Sequence, residues 1–186
     1  MTKIRAIRKT DSAKALKSIR FQNLTRFSRP RVKAFLDFIC ELIDENVYIQ
    51  INKKPTLKWE KAWLKDLKKK IKDGEAVWLG AWEGKKLIAS TQARRGLWNE
   101  RDNASIGLSV LKSYRRKGLG EKLMRMIIRI AKKRLNPKNI YLSVATPNLP
   151  ALSLYRKVGF KKFARFPNWA KKNNKYFDVL YMLLKK

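Results

Sequence analysis

The sequence predicts a single domain of mixed α/β class built on one central sheet. Three observations lead there. At 186 residues the chain has one domain's length, enough to bury roughly two thirds of the surface its unfolded form exposes. Its apolar residues, 45% of the total with 11% aromatic, recur at helical spacing in some stretches and alternate or run briefly in others. Those stretches follow the order strand, helices, three strands, helix, strand, helix, two strands. No repeat and no Pro/Gly/Ser-rich linker divides them, so residues 1–186 read as one domain.

Taken in order, Ile4, Ala6 and Ile7 between basic residues suggest a short first strand. Asp11 or Ser12 can cap a helix through Ala15, Leu16 and Ile19. The stretch from Phe21 to Arg31 carries no clear period, and Pro30 suits a helix's first turn. Val32, Phe35, Leu36, Ile39, Leu42 and Ile43 then mark a helix, and a polar loop with Lys53, Lys54 and Pro55 leads to another. Its stripe is Trp59 or Trp63, Leu64, Leu67 and Ile71, and Asp73-Gly74 ends it. Ala76–Leu79 and Leu87–Ser90 flank a Gly-containing turn at Trp82–Lys85, a hairpin. Gly96 to Asn103 is polar loop and Ala104 to Leu111 a strand. Gly118 to about Arg134 is a long helix with Leu119, Leu123, Ile127 and Ile130 on one side, and Asn136-Pro137 breaks it. Ile140–Val144 is a strand, Asn148 opens a helix that Gly159 closes, and strands follow at about Phe160–Phe166 and Tyr176–Leu184. A basic loop around Trp169–Lys175 is expected between those two.

Composition excludes several chemistries. There is no histidine, so the Ser-His-Asp and Cys-His hydrolase mechanisms are out. One cysteine, Cys40, cannot form an internal disulfide or a multi-thiolate zinc site, and no metal is expected. No run is apolar enough for a membrane span or a signal peptide, so a cytoplasmic location is expected. Charge is the outlier. The chain holds 46 Lys and Arg against 14 Asp and Glu, a formal net charge of +32. Such a field draws in anions and repels polycations. Solubility or a bias of the proteome accounts for it as readily as a nucleic-acid-rich partner does.

The chemistry concentrates in Val110 to Glu121, VLKSYRRKGLGE. A strand ends, a basic turn follows, and a helix starts at paired glycines. Gly118 and Gly120 let the backbone turn tightly and approach a ligand. The first helical amides point into that turn with the positive end of the helix dipole, and Arg115, Arg116 and Lys117 add charge. That is a cradle for a pyrophosphate. It is neither a Walker loop nor the dinucleotide fingerprint, because position 123 is Leu. An ordinary Gly-containing turn with basic decoration is the alternative.

The pattern R-x-x-G-x-G at Arg115 to Gly120 resembles the acetyl-CoA loop of the GNAT acetyltransferase superfamily. A second segment, NLPALSLYRKVGF from Asn148 to Phe160, is similar to that family's other signature, an Asn that opens a helix carrying A-x-x-L-Y-x-x-x-G-F. One helix and one strand separate the two, as the family's order requires. The resemblance extends to Ile4–Leu16, similar to the opening strand and helix, and to the closing KYFDVLYMLL, and so covers effectively the whole chain. It implies a GNAT-type fold, a mixed and mostly antiparallel sheet splayed between two strands and flanked by helices. It also implies acetyl-CoA as co-substrate. The pantetheine arm would pair with Leu108, Ser109 and Val110 between strands that part near Val110 and Val144. The pyrophosphate would lie on the amides of Arg116, Lys117, Gly118, Leu119, Gly120 and Glu121, beside Arg115. Asn148 would hold the pantetheine from the other side. The acceptor amine would attack the thioester directly while strand amides polarise its carbonyl. Tyr155 matches the family's proton donor to the leaving thiolate, and a phenol with pKa near ~10 suits the role. Read without that motif, Tyr155 is a packed aromatic on an amphipathic helix.

Two departures bear on the resemblance. Lys112 stands where many members have Pro, which changes the turn alone. The branch that acetylates protein N-termini, ribosomal-protein alanine acetyltransferases included, commonly has L-E-V before the Asn helix, whereas this chain has Leu142-Ser143-Val144. Ser143 cannot serve as a base; Glu100, Asp102, Glu41 or Glu45 acting through water are the candidates, each readable equally as a surface charge, and a positive field that lowers the amine's own pKa is the alternative. The charge excludes free polyamines and aminoglycosides as favoured acceptors. The expected acceptor is a protein N-terminus or lysine, on a nucleic-acid-associated protein such as a ribosomal one. The alternatives are an aminoacyl-tRNA or other RNA-borne amine, and a non-catalytic basic nucleic-acid-binding module on the same fold. Arg94, Arg95, Arg101 and the Arg165–Lys175 stretch with Phe166 and Trp169 are the contact points this predicts.

Overall fold

The computed structural model describes residues 18–24 and 31–185. The expected strand at Ile4–Ile7 and the residues from Asp11 to Leu16 lie outside them, as does Pro30. Ile19, expected as the last apolar position of that helix, instead opens strand β1, Ile19–Asn23. Ile19 is buried there and Arg20 exposed, and β1 pairs antiparallel with Ala76–Glu83, strand β2. The remaining strands are β3 (Lys86–Arg95), β4 (Asn103–Val110), β5 (Asn139–Ala145), β6 (Phe160–Lys172) and β7 (Lys175–Leu184). The helices are α1 (Val32–Asp44), α2 (Leu57–Lys72), α3 (Leu119–Leu135) and α4 (Leu149–Lys157). Among the described residues they form one seven-stranded sheet in the order β1-β2-β3-β4-β5-β7-β6. Every neighbour pair is antiparallel except β4 with β5.

Helices cover both faces of the β2–β3 half, and β2 is therefore buried from Ala76 to Trp82 instead of alternating with solvent. Val77, Leu79 and Ala81 face α3 with Leu123, Ile127 and Ala131. Trp78 and Trp82 face α1 and α2 with Phe35, Phe38, Leu42, Leu64 and Leu67. Thr56 starts α2 by accepting from the Trp59 amide at 3.2 Å. The stripe of α2 runs through Trp63 rather than Trp59, which is 48% exposed. Glu60 takes the buried place one turn before Leu64.

One expected loop is mostly strand. β6 continues to Lys172, and the turn to β7 is the two residues Asn173-Asn174, both with positive φ (48° and 60°). A two-residue hairpin turn needs left-handed backbone at both positions, which Asn tolerates. The irregularity that Pro167 forces on β6 is taken up by a register shift between Phe166 and Ala170.

Candidate functional site

Strands β4 and β5 pair for three residues, Asn103↔Asn139, Ala104↔Ile140 and Ser105↔Tyr141. Beyond them β4 runs on to Val110 and β5 to Ala145 with no pairing between the two. β5 turns to β7 instead, from Tyr141↔Leu183 to Ala145↔Val179. The two parallel strands therefore part towards their C-terminal ends and leave a wedge in the middle of the sheet. The Leu111 amide donates to the Ile88 carbonyl at 3.0 Å on β3. Antiparallel pairs alternate between exchanging both bonds and none, so the main chain of Ser109 faces Ser90 on β3. The main-chain groups of Leu108 and Val110 face the wedge.

Helix α3 starts at the mouth of that wedge. Its N-cap is Gly118 at φ +80°, with no side chain capping the first turn. Arg116 also has positive φ, at 58°. Left-handed residues two apart turn successive amides towards one concavity, a geometry that receives anions. Arg116, Lys117 and Gly118 are exposed. A Cβ at Gly120 would lie 3.3 Å from Leu154 on α4 and 3.5 Å from Leu108 on β4. The bare backbone there lets α3, β4 and α4 meet around the wedge. Glu121 holds α3 to α4 through Lys157 at 2.5 Å and bonds Arg125 at 3.0 Å. Those two hydrogen bonds keep its carboxyl below the usual range.

Arg115 works inside the loop. Its Nε donates to the Val110 carbonyl at 2.8 Å, and its guanidinium also bonds Glu45, whose other oxygen accepts from the Lys112 amide at 2.9 Å. The end of β4, the basic turn and the C-terminal end of α1 are thereby tied into one unit. Asn148 caps α4 by accepting from the Ala151 amide at 3.3 Å. Tyr155 sits on α4, 7% exposed, in the cluster that contains Leu119 and Leu123, with its ring edge-on to Phe160 at 6.1 Å. Burial pushes its phenol up to about 12.

Three of the four carboxylates expected as bases are held in ion pairs. Glu41 pairs with Lys86 at 2.8 Å, Asp102 with Lys138 at 3.2 Å, and Glu45 with Arg115. Glu100 is exposed on a short turn and acts on Tyr141 through its charge. Ser143 is exposed on β5. Asp37, Cys40, Glu41, Asp44, Glu45 and Lys112 line an open depression of about 610 Å³ along α1. Each of its carboxylates already has a cation, Lys33, Lys86, Lys54 and Arg115 respectively.

Two groups escaped the sequence reading. The Tyr114 hydroxyl donates to Glu83 at 2.6 Å, and that bond, with burial, pushes it up to about 12. Glu60 is 3% exposed, and burial pushes its carboxyl up to about 7. The signal for Glu60 was its position, since 60, 64 and 67 form one helical stripe; its residue type masked it. It shares the α1–α2 side with Leu64 and Leu67, whereas Tyr155 belongs to the cluster on the opposite face.

The profile of the acetyltransferase (GNAT) family matches residues 39–160. An N-alpha-acetyltransferase of Sulfurisphaera tokodaii is 39% identical over 57 residues, 31% of this chain and 34% of that one. The match thus spans about a third of the length of that curated relative. The fold matches Salmonella typhimurium yncA, solved with its cofactor acetyl-CoA, at a TM-score of 0.77 with 16% identity, over 91% of this chain and 94% of that one. It also matches the ribosomal-protein-alanine N-acetyltransferase of Brucella melitensis at 0.74 with 18% identity, over 89% and 97%.

Proposed function

The chain belongs to the acetyltransferase (GNAT) family, and from that premise we propose that it moves an acetyl group from acetyl-CoA to a primary amine. The wedge between β4 and β5, with the uncapped start of α3 at its mouth, is the observation that carries the reading. An extended arm with two amide groups fits the main-chain groups of Leu108 and the amide of Val110, whose carbonyl already accepts from Arg115. A pyrophosphate fits the left-handed turn at Arg116–Gly118 and the amides of Leu119, Gly120 and Glu121. Arg115 orders this turn from behind, and the Asn148 amide group can reach the arm from α4. The thioester is the group that acetyl-CoA supplies.

The chain's own part in the transfer is positioning and proton management. A phenol held near 12 stays protonated throughout the physiological range, so Tyr155 can present a hydrogen to the departing sulfur. At the acceptor side Ser143 offers no carboxylate, and Glu41, Glu45 and Asp102 are bound to cations. The amine's proton therefore passes to water, directly or by way of the exposed Glu100. An α-amine near ~8 loses it roughly a hundredfold more readily than a lysine near ~10.4. This favours a protein N-terminus over lysine, and the S. tokodaii relative bears the name N-alpha-acetyltransferase. With a net charge of +32, an acceptor on a protein that sits among nucleic acid is favoured over a free polycation.

An acetyl-transfer screen over N-terminal peptides, lysine peptides, aminoacyl-tRNA and small amines tests the reading. Turnover highest on α-amino peptides is expected. Transfer to aminoacyl-tRNA alone would move the acceptor to RNA, and no transfer together with no acetyl-CoA binding would leave a basic module on this fold.

A further inference from the structure

On one face of the β5–β7–β6 half of the sheet the segment after α1 covers the hairpin end. There Tyr48 lies edge-on to Phe177 at 5.3 Å and Lys172 donates to the Val47 carbonyl at 2.8 Å. The rest of that face has no extensive helix contact among the described residues. Helices α1 and α2 lie on β2 and β3, and α4 reaches β6 from the other face through Leu152, Tyr155 and Val158 beside Phe160. Residues paired across strands share a face. The register therefore places Tyr141 with Leu183, Ser143 and Ala164 with Tyr181, and Phe166 with Val179 on this open side. Four rings form a continuous row across it. Trp169 lies 4.9 Å from Phe166, Phe166 is 5.1 Å from Tyr181, and Tyr181 stacks on Tyr141 at 6.3 Å and 16°. None of the four belongs to either buried cluster, and Trp169 is 61% exposed. Lys161, paired with Leu183, and Lys175, at the hairpin end, are exposed on the face that carries the row, whereas Lys162 and Lys171, paired with Met182 and Tyr176, lie on the other.

We propose that this face is a docking platform for single-stranded nucleic acid, with bases stacked along Trp169, Phe166, Tyr181 and Tyr141 and phosphates held by Lys161 and Lys175. Charge complementarity selects the occupant. A chain of net charge +32 repels a second copy of itself and draws a polyanion. The rings select within polyanions, because a flat ring can stack on an unpaired base but not on one closed within a duplex. Ser143, exposed on the same face, borders the wedge, so a bound strand would lie alongside the acceptor side. The inference stands on the surface itself and does not depend on acetyl transfer.

Fluorescence anisotropy of the full chain with a labelled oligouridine of about 12 nucleotides, and with duplex RNA of equal length, tests it between about 50 and 200 mM salt. The single strand should bind more tightly than the duplex. Trp169→Ala should weaken single-strand binding roughly five- to a hundredfold with the salt slope and melting temperature unchanged, as expected for lost stacking. Tyr141→Leu should act in the same direction, and Lys161→Gln should reduce the salt slope by about one. Equal binding of both RNAs, or unchanged affinity in Trp169→Ala and Tyr141→Leu, would overturn the proposal in favour of bulk charge. A dimer that Trp169→Ala dissolves, or lysine crosslinks from residues 1–17 to Lys161 in the free protein, would also overturn it by giving the face another occupant.

Discussion

At the scale of single residues, burial decides the chemistry. Tyr155 is a typical phenol in sequence and becomes a weak acid near 12 because α4 buries it. Tyr155→Phe keeps the ring and removes the hydroxyl, so steady-state kinetics should show turnover reduced by about 10²-fold or more. Acetyl-CoA affinity should change little, and no alkaline limb from this group should occur below about 12. Glu60 is the second case. Its folded carboxyl near 7 lies above the unfolded value of about 4.3. The native state thus holds the proton more tightly than the unfolded chain. The linked stability is fully present below about 4.3, falls as pH rises, and is gone above about 7. Glu60→Gln removes that dependence. Its melting temperature should exceed wild type at pH 8 and change less between pH 4.5 and 7, by up to about 3 kcal/mol in stability terms. Identical pH profiles for the two proteins would contradict this.

At the scale of elements, the wedge is a product of register. Three paired residues fix β4 and β5 at one end, and the rest of each strand is drawn to a different neighbour, β3 or β7. The glycines of α3 complete it. Gly118→Ala forces a Cβ into left-handed backbone, which costs roughly 1–2 kcal/mol. Thermal denaturation should show that loss, and the stabilisation given by acetyl-CoA should shrink as the turn relaxes. The turn and the two helices around it were legible in the sequence because glycine spacing and the Asn148 cap act locally. Other parts were not. Ile19 reads as helical beside Ala15 and Leu16, and only the edge of β2 makes it a strand. The length of β6 depends on β7 holding both sides of a bulge at Pro167. Arg115 looks like a ligand for phosphate, whereas its contact to Glu45 bridges 70 residues of sequence. Such pairings arise from tertiary packing and leave no periodic trace.

At the scale of the whole molecule, the charge is uneven in its consequences. Surface ion pairs such as Lys33–Asp37 and Lys70–Asp66 are each worth little, about 0–1 kcal/mol. Repulsion among the remaining cations acts over the whole surface and is screened by salt. The melting temperature should therefore rise as salt increases, and a fall measured by calorimetry would mean that the pairs dominate. The same field brings phosphates to the start of α3. Calorimetric titration of the full chain with acetyl-CoA, beside a Gly120→Leu variant whose side chain must displace Leu154 and Leu108, addresses the wedge most directly. The wild type should bind one equivalent, with roughly 2.7 kcal/mol of added stability at a hundredfold excess over the dissociation constant, and Gly120→Leu should bind far more weakly. A wild-type chain that takes up no acetyl-CoA, or a Gly120→Leu chain that binds it unchanged, would contradict the account.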